Sequence, residues 1–70
     1  MISEWIKVNE SLPEKGKDVL CMMRTFEDTT IPVIRWRSEY DNTVVDSHGF
    51  TIYEPIEVEV VAWMNIPKYV

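Results

Sequence analysis

The chain has 70 residues, a mass of 8.3 kDa and a net charge of −5 at pH 7. Folding at this size buries only about 60% of the surface that the unfolded chain exposes, so we predict a single domain over residues 1–70 with a small reserve of stability. The excess of acidic side chains disfavours non-specific binding to nucleic acid, because a phosphate backbone repels them.

Cys21 is the only cysteine. This excludes an intrachain disulfide and a zinc site of four thiolates, and it favours a reducing compartment. The sequence has neither a signal-peptide pattern nor an apolar run of about 18 residues, so we expect a soluble, cytoplasmic protein without membrane contact. Oligomerisation is the remaining way to stabilise so small a core, and a homodimer stays open.

The stretch Glu4–Leu20 organises the predicted fold. It begins with a short strand in which Ile6 and Val8 share one face and Trp5 lies on the other. Leu12 is held in an extended conformation by the following proline and is expected to plug the core from the loop. The same loop contains Gly16, one of only two glycines, where we predict a positive φ angle.

Two apolar runs follow this loop. Val19–Met23 is predicted to be a strand that is buried on both faces or lies at the centre of a sheet. Ile31–Arg37 is predicted to be the next strand, with Pro32 near its entry, where a missing N–H costs least. Alternation places its larger apolar side chains and its arginines on opposite faces: Ile34 and Trp36 against Arg35 and Arg37.

The C-terminal half predicts a hairpin and a long strand. Thr43–Asp46 and Phe50–Tyr53 flank a tight turn that contains Gly49. Ile56–Met64 is the longest β-type run, and alternation gives it one face of Ile56, Val58, Val60, Ala62 and Met64 and a second face of Glu57, Glu59, Val61 and Trp63. The predicted fold class is mostly β, a single small antiparallel sheet of four to five short strands with little or no helix.

Two segments together resemble a known family. They are Trp5-Ile6-x-Val8 followed by Leu12-Pro13-x-x-Gly16-x-x-Val19-Leu20, and Val60-x-x-Trp63-Met64-x-Ile66-Pro67. This pairing resembles the domain-of-unknown-function family 551, small domains common in bacteriophage and prophage genomes. The resemblance implies a mostly-β fold and a phage origin, and no known activity. Where the family pattern often has a histidine and a proline, this chain has Ala62 and Asn65, so any role of that histidine is absent here.

The sequence contains no convincing catalytic or metal-binding constellation. His48, the only histidine, lies in the predicted hairpin turn, where a solvated residue is far commoner than a general base. Cys21 lies inside an apolar strand, which predicts an inert thiol. Asp41, Asp46 and His48 match no known metal spacing. We therefore predict no enzyme activity, no metal and no cofactor.

The best candidate binding site is a group of aromatic and basic residues: Arg35, Trp36, Arg37, Tyr40 and Tyr53. Aromatic side chains and arginine dominate binding hot spots, and an arginine can hold a phosphate while a ring stacks on a base. The alternative is structural. In that interpretation Trp5, Trp36 and Trp63 pack one small core, and the two arginines pair with Glu57 and Glu59 if the strands that carry them are neighbours.

Two functional hypotheses follow from these features. The first is a non-catalytic accessory protein of phage type that binds a host protein and alters its activity. The alternative is a small module, including one assembled as a homo-oligomer, that captures a nucleotide-like anion between aromatic rings and Arg35 or Arg37. An enzyme is the least expected class.

Overall fold

The computed structural model of the chain describes residues 4–40, 42–53 and 55–68. Its strands are β1 (Ile6–Lys7), β2 (Val19–Thr25), β3 (Thr30–Arg35) and β4 (Glu57–Met64). They form one antiparallel sheet in the order β1-β4-β2-β3. The predicted mostly-β fold with a single antiparallel sheet is confirmed, and the described ranges contain no helix.

The core lies on one face of the sheet, which we call the inner face. In the central strand β2, Val19, Cys21 and Met23 have no exposed surface, whereas Leu20 and Met22 are half-buried. The core cluster consists of Val19, Cys21, Met23, Phe50, Val60 and Trp63. Of the two placements predicted for this strand, the centre of the sheet is confirmed. Its second face, the outer face, is not buried.

β4 departs from the predicted alternation because it contains two β-bulges. Met22 and Met23 of β2 lie opposite Ala62 and Val60, and a second register shift follows between Arg24 and Thr25. Each bulge leaves one β4 residue without a residue opposite it, which turns the next side chains to the other face. The buried residues are consequently three apart: Glu57, Val60 and Trp63.

The face assignment predicted for β4 was therefore wrong. Alternation put Val60 and Trp63 on opposite faces, yet both belong to the core. It also put Glu57 and Glu59 on one face, whereas Glu57 is buried and Glu59 is half-buried opposite Arg24. The pairing considered for this strand was wrong as well, because β4 lies between β1 and β2 and does not neighbour β3.

The N-terminal stretch pairs with the C-terminal end of β4 and packs against the core there. Ile6 lies opposite Trp63, and Ile6, Val8 and Leu12 pack against the core cluster. The prediction that Leu12 contacts the core from the loop is confirmed. The indole Nε1 of Trp63 donates a hydrogen bond to the carbonyl oxygen of Ser11 at 2.9 Å. Trp5, just before β1, is half-buried.

The predicted turns and hairpin are present. Gly16 has a φ of +80° and Gly49 a φ of +91°, both in the left-handed region that glycine adopts without strain. Val45 lies opposite Thr51 in an antiparallel bridge, so the predicted hairpin forms, although as an isolated bridge and not as two strands. The hairpin then carries Phe50 onto the inner face, where it is completely buried.

Asp46 connects this hairpin to β4. One carboxylate oxygen accepts hydrogen bonds from the backbone N–H groups of His48 and Phe50 at 2.9 and 3.0 Å. The other accepts one from the N–H of Val60 at 2.8 Å. Val60 lies beside a bulge, so the carboxylate satisfies a backbone donor at a point where the strand ladder is interrupted.

Candidate functional site

The residues of the predicted binding group fall into three separate places. Arg35 and Tyr53 lie together at Glu57. Arg37 lies between the Gly16 loop and the hairpin turn. Trp36 and Tyr40 line a cavity. The structure therefore does not assemble the predicted group into one site, and each part has its own chemistry.

Arg35 forms a buried ion pair with Glu57. Its Nε donates to one Glu57 oxygen at 3.1 Å, and its Nη2 donates to the other oxygen. The two side chains are only 12% and 8% exposed. The guanidinium carbon lies 4.3 Å from the centre of the Tyr53 ring, and the Tyr53 N–H donates to Glu57 at 3.1 Å. The structural alternative thus holds for Arg35, whose charge is already bound.

The pair reaches across β2, because that strand separates β3 from β4. Arg35 lies opposite Val19, and Glu57 lies opposite Thr25, and all of these residues point to the inner face. Glu57, the partner expected for Arg35 from charge alone, is therefore correct. The assumption that β3 and β4 are neighbouring strands was wrong.

Arg37 holds two loops together. Its Nε donates to the carbonyl oxygen of His48 at 3.2 Å, and its Nη1 donates to that of Pro13 at 3.0 Å. Glu59, its expected partner, instead accepts a hydrogen bond from Arg24 at 2.9 Å. Arg37 thus stabilises the approach of the Gly16 loop to the hairpin, where Gly16 also donates its N–H to the Arg37 carbonyl at 2.8 Å.

Trp36 and Tyr40 line a cavity of about 470 Å³ together with acidic residues. Its lining residues are Gly16, Asp18, Trp36, Glu39 and Tyr40. We call this cavity the acidic aromatic cleft. A carboxylate oxygen of Glu39 lies so close to Gly16 that a Cβ there would be 2.7 Å from it. The rings are partly open to solvent, with Trp36 37% and Tyr40 73% exposed. The three tryptophans therefore do not form one core, since only Trp63 belongs to it.

The outer face of the sheet is apolar across three strands. The strand register places Met64, Leu20 and Ile34 side by side in one row, and Ala62, Met22 and Pro32 in the next. None of these six residues is buried, and Ile34 is 44% exposed. A second cavity, of about 430 Å³, extends this face towards β1 and is lined by Lys7, Val8, Asn9, Glu59, Val61 and Ala62.

Cys21 and His48, the residues considered for catalysis, lie on different elements of the fold. Burial raises the pKa of the Cys21 thiol from 9.0 to about 11, so little thiolate forms near neutral pH. His48 lies in the hairpin turn, where its backbone N–H donates to Asp46 and its ring Nδ1 lies 3.4 Å from the Ser47 hydroxyl oxygen. Among the described residues, no group of three or more His, Cys, Asp or Glu side chains is placed to hold a metal ion. Asp41, considered for such a site, lies outside the described residues.

Sequence reasoning missed two features. One is the pair of acidic residues in the cleft, Asp18 and Glu39, which lie 21 positions apart and meet only because the Gly16 loop folds back onto the end of β3. The other is the outer face. Its signal was present in β2, where both alternating rows are apolar. The pattern alone did not show which row would be covered.

Comparison with known sequences gives one family. Residues 4–68 match the family described as Protein of unknown function (DUF551). The match includes both segments that carry the resemblance and also the middle of the chain, which those segments did not cover. Neither a curated protein nor a solved structure matches. Within the described residues, no helix is long and apolar enough to cross a membrane.

Proposed function

We propose that this chain, which belongs to the family of proteins of unknown function DUF551, is a non-catalytic accessory protein that binds another protein. The family supplies no activity, so the proposal rests on the geometry of the domain. For a protein of phage type, the partner belongs to the cytoplasm of the host cell. The binding surface is the outer face of the sheet, and Trp36 at the end of β3 lies at its margin.

The observation that carries this proposal is the apolar outer face. Its two rows cross β4, β2 and β3 without a charged side chain, while the inner face holds the whole core cluster. A contiguous apolar surface on a small domain marks a site of association, because leaving it in water forgoes the free energy of burying it. Exposed Ile34 and Trp36 extend this surface at the sheet edge.

Charge favours a different protein over a second copy of this chain. Each copy carries a net charge of −5, and the cleft at the margin of the outer face carries Asp18 and Glu39. Two copies would bring like charges together, which disfavours association. A partner with an apolar patch and basic residues around it matches both the outer face and its margin.

The arginine contacts make the anion-binding alternative weaker. Arg35 is bound to Glu57 and Arg37 to two backbone carbonyl oxygens. The open aromatic rings of Trp36 and Tyr40 lie beside carboxylates, which repel an anion. We expect a panel of nucleotides to leave the melting temperature unchanged. A rise that Arg35→Ala or Arg37→Ala removes would favour the anion module instead.

The binding surface is tested by two isoleucines of one strand. Ile34 and Ile31 are 44% and 38% exposed, but Ile34 lies on the outer face opposite Leu20, and Ile31 lies opposite the buried Met23. We expect wild-type protein to retain a stoichiometric partner from host lysate. With that partner purified, calorimetry is expected to show at least tenfold weaker binding for Ile34→Gln and little change for Ile31→Gln.

Two results would contradict the proposal. One is the failure to recover any stoichiometric partner from host lysate under several expression conditions. The other is an equal loss of affinity in Ile34→Gln and Ile31→Gln, since the outer face would then have no special part in binding. Circular dichroism of each variant establishes that the sheet is intact before binding is measured.

A further inference from the structure

We infer that the acidic aromatic cleft binds an organic cation, the side chain of an arginine or lysine that the partner protein inserts. This inference rests on the proposed function and names the chemistry of the partner's contact. It stands on the composition of the cleft, on the absence of counter-ions within it and on its position beside the outer face.

The rings of the cleft suit a positive charge. Trp36 and Tyr40 both line the cavity, and their exposed surfaces leave room for a ligand against them. The face of an aromatic ring carries partial negative charge and attracts ammonium and guanidinium groups, with tryptophan the strongest. A guanidinium also packs over the face of such a ring, as Arg35 does at 4.3 Å from the centre of the Tyr53 ring elsewhere in this domain.

The carboxylates of the cleft have no counter-ion. Neither Asp18 nor Glu39 has a hydrogen-bond or ion-pair partner among the described residues. Lys17 donates to the side chain of Asn65 at 3.0 Å and Arg37 donates to backbone carbonyls, and Lys15 of the same loop does not line the cleft. A cation in the cleft would therefore meet two carboxylates that form no ion pair among the described residues.

The position of the cleft connects it to the outer face. Leu20 and Ile34 are opposite each other in the sheet, and Asp18 and Trp36 lie two residues beyond this pair on their respective chains. A partner that covers the apolar rows thus brings its next side chain to the cleft. The volume of about 470 Å³ accommodates a long basic side chain, whose aliphatic stem packs against the ring.

The small-molecule test uses N-acetyl-arginine methylamide as the probe. Titration is followed by ¹⁵N chemical shifts, with N-acetyl-lysine methylamide as the second cation and N-acetyl-citrulline methylamide as the neutral control. We expect millimolar binding of the cations, with shifts concentrated at Gly16, Asp18, Trp36 and Tyr40. The citrulline compound is expected to bind at least fivefold more weakly. Equal binding of the citrulline compound, or shifts spread over the whole surface, would overturn the inference.

Variants assign the charge to the cleft. Asp18→Asn and Glu39→Gln are each expected to weaken binding of the arginine probe about threefold to tenfold. Glu14→Gln is the matched control, because Glu14 is an exposed acid of the same loop but does not line the cleft. Unchanged affinity in both cleft variants would overturn the inference, as would an equal loss in the control.

Titration of the purified partner separates this inference from the proposed function. Weakened binding in the double variant Asp18→Asn, Glu39→Gln supports both. Binding that depends on Ile34 but not on the two acids leaves the proposed function standing and overturns the cation site as a partner contact. Specific binding of the arginine probe without any protein partner supports a cation site and contradicts the proposed function.

Discussion

The Arg35–Glu57 pair places two opposite charges inside a domain whose core contains few residues. Desolvating a charge is expensive, and the attraction to its partner repays that cost only when the geometry is good and the remaining polar atoms are bonded. Both conditions are met, because the guanidinium contacts both carboxylate oxygens and the Tyr53 N–H bonds to one of them. Removing one partner therefore leaves the other charge without compensation.

We expect Glu57→Gln to lower the free energy of unfolding by about 3–5 kcal/mol, since it leaves the buried Arg35 charge unpaired. Glu59→Gln is the matched control on the same strand. Its partner Arg24 and Glu59 itself are 34% and 37% exposed, so the loss is expected to stay below about 1 kcal/mol. Urea denaturation followed by circular dichroism measures both. Similar losses would show that the inner pair is not strongly desolvated.

Cys21 gives the domain a dependence on alkaline pH. The pKa of its thiol is about 11 in the folded chain and 9.0 without burial, because burial disfavours the thiolate. Ionisation of the thiol therefore favours the unfolded chain. The free energy of unfolding is unaffected by ionisation of this thiol below pH 9. It falls as the pH rises from 9 to 11, because the unfolded chain ionises Cys21 first in that range. We expect stability to fall by about 2–3 kcal/mol over this range.

Cys21→Ala provides the control for this pH dependence. The variant loses core volume at every pH, but its stability is expected to fall less steeply between pH 9 and 11. Denaturant midpoints measured across the range give the two slopes. Equal slopes would assign the alkaline loss to tyrosine and lysine side chains that both proteins share.

At the level of elements, β4 depends on a residue outside the sheet. Its bulges interrupt the ladder with β2, and Asp46 of the hairpin accepts the Val60 N–H beside one of them. The same carboxylate organises the turn through His48 and Phe50. The hairpin that covers the core and the strand that crosses it are therefore stabilised by one side chain.

We expect Asp46→Asn to lower the free energy of unfolding by about 2–3 kcal/mol, because its NH₂ group must face a backbone N–H on one side. Asp28→Asn is the matched control. Asp28 is 88% exposed and has a φ of 64°, which asparagine tolerates well. Hydrogen exchange at Val60 is expected to accelerate in Asp46→Asn only. Unchanged exchange at Val60 would contradict this role of Asp46.

Sequence patterns predicted those elements whose geometry is regular. Alternation separated the two rows of β2 side chains correctly without showing which row would be buried, and the glycine and proline positions located the turns. It failed in β4 because a bulge arises from the pairing of two strands, and the residues of one strand do not encode it. The same limit applies to the candidate site. Trp36 and Tyr40 were recognisable by residue type, whereas Asp18 joins them only through loop closure.

At the scale of the whole molecule, the domain is a single sheet with a core on one side. Only the inner face carries completely buried side chains, and the outer face offers a second apolar surface of three strands. A chain of this size has a total stability of roughly 4–10 kcal/mol. Any partner that binds the outer face adds to this stability by mass action.

We expect the isolated chain to be a monomer at low ionic strength, because the charge of −5 on each copy opposes contact between outer faces. Salt near 1 M reduces the range of this repulsion to about 3 Å and is expected to promote association. Light scattering measures the mass in both conditions, and Ile34→Lys is expected to prevent the association. A dimer that is already stable at low salt would show that the homodimer left open by the sequence is the true occupant of this face.

The bulges of β4 also bear on how related chains can differ in length. Val58 and Val61 have no opposite residue on β2, so deleting either one would remove the bulge at that position and leave every side chain that is paired with β2 on its present face. A deletion at a paired position would reverse the faces of all residues on one side of it. Single-residue gaps among homologous chains are thus expected to collect at these two valines, and an alignment that places a gap at Val60 or Trp63 would misassign the core.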